Sequence, residues 1–177
     1  MAEKNLDFDT VIDRTHTNSL KYDFAVQRGK PKDVLPLWVA DMDFQVSSYI
    51  QEALSGSVAH GIFGYSEAEG SYFEAVAGWM SRHYGWNVEE TWLVKTPGIV
   101  FALAQAVRAF TDPGDAVLLQ QPVYYPFSQV IRDNGREIVD NTLVQGEDGR
   151  YRIDFTDFEE KIRSAHVKLF FLCNPHN

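Results

Sequence analysis

The chain has 177 residues, of which 16 are Lys or Arg and 25 are Asp or Glu, giving a formal net charge of −9. Hydrophobic residues at 45% and charged residues at 23% match an average globular protein, which excludes a disordered, charge-rich chain and leaves apolar side chain enough for a substantial core. The acidic balance and the scattered Lys and Arg exclude a binder of phosphate backbones, so no nucleic-acid partner is expected.

The start of the chain, Met1 to Thr10, is polar and acidic and lacks the basic-then-apolar pattern of a secretory leader. No apolar run approaches the roughly 18 to 20 residues needed to cross a bilayer. Cys173 is the single cysteine and cannot form an internal disulfide, so a reducing compartment is expected, and with it a soluble, cytoplasmic protein without a membrane partner.

Residues 1–46 read as an irregular arm ending in the apolar burst Leu35 to Val39 and then Ala40, Asp41, Met42, Asp43, Phe44. A family resemblance carried by the motifs that follow implies that the arm belongs partly to a small domain and 47–177 to the N-terminal portion of a larger one. From about Ser47 to His60, the spacing of Ile50, Leu54 and Val58 predicts one helix, stopped by Gly61. Tyr72, Val76, Trp79, Met80 and His83 predict a second that ends at Gly85.

The rhythm then changes. Trp92 to Lys95 reads as a short strand, Thr96-Pro97-Gly98 as a turn, and Ile99, Leu103, Ala106, Val107 and Phe110 as one face of a helix. After the turn at Asp112 to Asp115 come a strand, Ala116 to Leu119, a helix around Phe127 to Arg132, and a strand, Glu137 to Val139. A helix from Phe155 to Arg163 and an apolar strand from Val167 to Cys173 follow. Apolar runs buried on both faces and alternating with helices predict an α/β fold with a mostly parallel sheet and flanking helices.

Ligands of such sheets gather where strands end, which directs attention to three turns. At Gly98-Ile99-Val100 a glycine opens a helix whose first amides lack intrahelical partners, a setting that suits a phosphate. Taken alone, this turn reads first as a simple chain reversal, since neither G-x-G-x-x-G nor P-loop spacing occurs. In Gln121-Pro122-Val123-Tyr124-Tyr125-Pro126-Phe127, two prolines stiffen a loop with two tyrosines. Tyr124 is equally suited to floor a heteroaromatic ligand or to pack on the protein body, and Tyr125 suits packing better. The last strand runs into Asn174-Pro175-His176-Asn177, where Asn177 has amide hydrogens to offer an oxygen ligand.

These blocks, together with Leu37-Trp38-Val39-Ala40-Asp41-Met42-Asp43-Phe44 and His60-Gly61-Ile62-Phe63-Gly64-Tyr65, resemble the class I/II aminotransferase family, in its order and spacing, from about residue 5 to the end. More narrowly they resemble its MalY/PatB-type cystathionine β-lyase branch. The resemblance implies the fold of the pyridoxal 5'-phosphate (PLP)-dependent transferases, aspartate aminotransferase-like and incomplete in this chain, with PLP as cofactor. It further implies that backbone at Gly98, Ile99 and Val100 holds the cofactor phosphate, that Tyr124 stacks on the pyridine ring and that Asn177 bonds its 3-oxygen. By the same resemblance Tyr65 reaches the phosphate from a neighbouring subunit of a homodimer, and the Ala40 backbone receives the carboxylate of an amino-acid substrate.

Family members are longer chains. Their cofactor-binding lysine, the aspartate facing the pyridine nitrogen and the arginine that clamps the substrate carboxylate match no residue up to Asn177, and none of the seven lysines stands in a matching context. The chain is therefore read as the N-terminal half of such an enzyme, without catalytic residues of its own and inactive by itself. The expected activity of the whole is β-elimination from sulfur amino acids to pyruvate, ammonia and a thiol, with the Trp38 to Phe44 block favouring the lyase branch. A PLP-dependent aminotransferase is the alternative, and a non-catalytic regulatory or partner-completed module the alternative of another class. Cys173 reads as a small buried hydrophobe. The five histidines lack metal-ligand spacing, so no metal site is expected. Asp154, Asp157, Glu159 and Glu160 read as a solvated helix start.

Overall fold

The computed structural model describes residues 6–177, which divide into two compact units, one ending at Ala68 and the other spanning Glu69–Asn177. The first unit is mostly irregular, with a 3-10 turn at Val26–Arg28 and one helix, α1 (Ser48–His60), closed by Gly61 in the left-handed conformation. Lys21, Ala25 and Pro36 are its only buried residues among those described. Side-chain hydrogen bonds do the work that an apolar core does elsewhere. The Asp23 carboxylate gathers the backbone N–H groups of His16, Thr17 and Ser19 at 2.8, 3.0 and 2.9 Å. This closes a turn in which His16 and Asn18 both have positive φ.

The second unit begins with α2 (Gly70–Tyr84), ended at Gly85, where the Gly85 and Trp86 amides bond back to Ser81 and Met80. Next comes α3 (Ile99–Phe110), followed by β1 (Ala116–Leu119), α4 (Pro126–Asp133) and β2 (Glu137–Asp140). A two-residue hairpin, β3 (Val144–Gln145) and β4 (Tyr151–Arg152), leads to α5 (Phe155–Ser164) and β5 (Val167–Phe170). Asp154 caps α5 by accepting from the amides of Thr156 and Asp157, as the acidic helix start suggested.

The sheet is parallel, in the order β2-β1-β5. Its central strand, Ala-Val-Leu-Leu, is buried along its whole length because helices cover both faces. Val117 and Leu119 share one face and cluster with Val107 of α3, Val130 and Ile131 of α4, and Phe171. On the other face Leu118 pairs in register with Phe170 of β5, whose ring meets Phe158 of α5 edge-on at 5.1 Å. Each fully buried Leu or Ile here contributes about 1.5 to 3 kcal/mol relative to exposure.

Two sequence expectations change. The strand expected at Trp92 to Lys95 starts instead as a 3-10 turn, Glu90–Trp92, in which the Trp92 and Leu93 amides bond back to Glu89 and Glu90. Those bonds use amides that a strand would offer to a neighbour, and although Leu93 is extended (φ −84°, ψ 113°), it joins neither sheet of the described residues. The last strand also ends at Phe170 rather than Cys173, where the chain turns toward the cis Asn174–Pro175 bond, and Cys173 is half-buried.

Candidate functional site

A five-residue turn joins the end of α3 to the start of β1, so α3 runs back over the sheet against the strand direction. Its 12 residues span about 18 Å at 1.5 Å per residue, which brings its N-terminus to the edge where β1 and β5 end. The turns after β1 and β5 leave the sheet at that edge, and the length and direction of α3 put the turn before it on the same side.

At the first, Gly98 caps α3 with φ 95° and ψ 160°, a backbone state that side-chain-bearing residues rarely adopt. Its amide bonds to the Thr96 carbonyl at 2.7 Å, and the Thr96 hydroxyl donates to the Gly98 carbonyl at 3.1 Å. No side chain caps the helix, and space is open where a Cβ at Gly98 would project. The amides of Ile99, Val100 and Phe101 open the helix without intrahelical acceptors, at the positive end of its dipole.

The second and third turns are fastened to each other. The Tyr124 amide donates to the Asn177 carbonyl at 2.5 Å, and His176 Nε2 donates to the Pro122 carbonyl at 2.6 Å. Both turns carry a cis peptide bond, Gln121–Pro122 and Asn174–Pro175. Between these fastenings the Tyr124 ring stands 44% exposed, in edge contact with the more exposed Tyr125 at 5.4 Å. Neither ring packs into the core, which leaves the Tyr124 face available.

Beneath the loops lies a polar layer that sequence reasoning missed. Asn141, fully buried just past β2, bonds through its amide to the Leu119 carbonyl at 2.8 Å and accepts from Gln120 Nε2 at 3.1 Å. Its Nδ2 donates to the Asp154 carbonyl and to the Asp157 carboxylate at 3.0 and 2.8 Å. Asp157 also pairs with Lys161 at 2.8 Å, and the bonds from Lys161 and Asn141 hold its carboxyl below the ordinary value. Gln121 offers its amide to Asp140 at 3.1 Å and its carbonyl to the Leu143 amide at 2.8 Å. The only signal in the sequence was a run of amide side chains beside a buried strand.

The remaining predicted residues belong to the first unit. Ala40 lies between Val39, which has φ 63°, and Asp41, whose carboxylate is bonded to Arg14. Tyr65 is fully exposed. Among the described residues no group of His, Cys, Asp and Glu forms a metal site, and no helix is long and apolar enough to cross a membrane.

An α/β unit whose strand-end loops converge beside a glycine-opened helix is a ligand-binding architecture. Residues 32–177 match the family of class I and II aminotransferases, and the chain belongs to that family. Over 97% of its length it is 46% identical to cystathionine β-lyase PatB of Bacillus subtilis, and it is 30% identical to protein MalY of Escherichia coli. Cystalysin from Treponema denticola, solved with its pyridoxal 5'-phosphate cofactor, superposes on 98% of the chain with a TM-score of 0.88 at 35% identity. The chain spans 44% of the length of each of these proteins.

Proposed function

We propose that the complete protein is a PLP-dependent carbon–sulfur β-lyase that converts sulfur amino acids to pyruvate, ammonia and a thiol. The observation that carries this reading is the hydrogen-bonded pair of turns at Tyr124 and Asn177, beyond the ends of β1 and β5, together with the uncapped, glycine-opened start of α3 at Gly98. Similarity to a cystathionine β-lyase along nearly the whole chain supports the reaction class.

The residues fit the cofactor chemically. Free amides at the start of α3 and the open space beside Gly98 suit a phosphate group. An exposed tyrosine ring and an asparagine amide on the adjoining loops suit a flat pyridine bearing an oxygen. In this reading Gly98, Ile99 and Val100 bind the phosphate, Tyr124 sets the tilt of the ring, and Asn177 donates to the 3-oxygen. Bound PLP supplies the electron sink for carbanion chemistry, and the protein selects which bond breaks. The Ala40 backbone receives the substrate carboxylate. Tyr65 serves the phosphate of the second subunit in a homodimer, and the enzyme works in the cytoplasm. Residues 1–46 form the arm and part of a small domain, and 47–177 form the N-terminal portion of the cofactor-binding domain.

The second reading, an aminotransferase, is favoured by the family description itself. Product identity separates the two. The purified complete protein, given L-cystathionine, should release pyruvate and a thiol and should show a cofactor absorbance band. A new amino acid formed from an added oxo acid in place of pyruvate would make it an aminotransferase. Neither product, with no cofactor band, would leave a non-catalytic protein and sink the proposal.

A further inference from the structure

The first unit holds a cluster of opposite charges whose position is not explained by packing. Arg14 places one guanidinium nitrogen on the Asp41 carboxylate and the other on Asp43 at 2.6 Å, the latter also reaching the Met42 carbonyl at 3.4 Å. Lys21, whose side chain is only 8% exposed, donates to the Asp41 carbonyl and to the Asp43 carboxylate, both at 3.1 Å. Lys21 lies in the turn that Asp23 closes, and Arg14 just precedes it, its carbonyl secured by the Thr17 hydroxyl at 2.6 Å. The carboxylates and carbonyls that the two cations reach all belong to the three residues that follow Ala40.

On the other side of Ala40 stands Val39 at φ 63°. A β-branched residue is a genuine outlier in that region and stays there only where its surroundings over-determine it. The clamp on 41–43 begins two residues further on. It is also electrically balanced, two cations against two carboxylates, so neither cation is left free to attract a ligand. The charge it neutralises is that of the two aspartates, which would otherwise repel an arriving carboxylate.

We propose that Arg14 and Lys21 are positioning residues for the substrate α-carboxylate, holding the Val39–Asp41 backbone in the one conformation that presents Ala40 to it. This inference rests on the reading of Ala40 given above. It assigns the cations no contact with the substrate, and it predicts a loss confined to ligands that carry a carboxylate.

L-Alanine and ethylamine differ by that carboxylate alone, and their binding to the PLP-loaded complete protein is read from the change in cofactor absorbance. In Arg14→Gln the dissociation constant for L-alanine should rise about tenfold or more, the scale expected of a misplaced binding group, while that for ethylamine stays unchanged within experimental error. Restoring charge balance with Arg14→Gln plus Asp43→Asn should leave L-alanine weakened, because the clamp is still missing. Recovery of wild-type affinity in that double variant would reduce the role to charge and overturn the proposal. Equal losses for both ligands would overturn it as well, by making the cluster a general support. If Arg14→Gln does not fold, Lys21→Met provides the same comparison. A wild-type protein that binds the two ligands equally would instead refute the Ala40 reading, a result distinct from the failure of the clamp.

Discussion

Gly98 shows how one residue fixes what a loop offers. Its φ of 95° is open to glycine, whereas the surrounding space would accept a Cβ without contact. The constraint is conformational, and Gly98→Ala should therefore turn the first amides of α3 away from a common point without disturbing the core. The expected result is weaker cofactor binding, with the midpoint of reconstitution in a PLP titration raised about tenfold or more and the melting temperature of the cofactor-free protein little changed. Asp23 makes a comparable case in the first unit. Bonds from the amides of His16, Ser19 and Thr17, with His16 first, hold its carboxyl below its ordinary 3.8. A depressed carboxyl contributes stability above its unfolded value and loses it as pH falls through the folded one. Protection of those three amides from hydrogen exchange, corrected for the intrinsic rate, should be flat from neutral pH down to about 5 and collapse below about pH 4. Protection that persists at pH 2 would dissociate the turn from the Asp23 charge.

At the scale of elements, the sequence was most legible where one physical signal dominated. β1 is recognisable because four consecutive apolar residues are bounded by turn formers, and α2 because its apolar spacing runs into Gly85. The Trp92 to Lys95 segment misled because a short apolar run does not say whether its amides will bond within the chain or across to a neighbour. The β3–β4 hairpin escaped because two-residue strands carry no periodicity, although Asp148-Gly149 at its turn is a known reversal signal. The turns at Gly98, Pro122 and Pro175 were legible as turns from their prolines, glycine and asparagine. Their fastening by His176 and the polar layer beneath them were not, since hydrogen bonds between residues as distant as Pro122 and His176 leave no local pattern. Asn141 tests that layer. Alanine keeps its backbone bond to β1 but strands the buried Gln120 amide and removes the donor to Asp154 and Asp157 at the start of α5, so Asn141→Ala should cost about 1 to 3 kcal/mol. This is measurable as a shift in the denaturant midpoint of the complete protein. Thr142→Ala, on the exposed neighbouring position, should change it little, and equal effects would mean that the layer is not what supports the loops.

For the whole molecule, the first question is whether a site is completed within one subunit or by two. Under the proposed function Gly98 and Tyr65 act on the same phosphate but come from different subunits. That arrangement has a consequence which mutation of either residue alone cannot expose. If two impaired proteins, one Gly98→Val and the other Tyr65→Ala, are unfolded together and refolded as a mixture, random pairing makes half of the dimers hybrids. Each hybrid then holds one site carrying both defects and one carrying neither. About a quarter of all sites would be intact, and lyase activity should recover to about a quarter of wild type although neither parent is active. If both residues served the site of their own subunit, every site in a hybrid would keep one defect and the mixture would stay as inactive as its parents. With both parents inactive alone, the activity of the mixture thus reports which subunit supplies Tyr65.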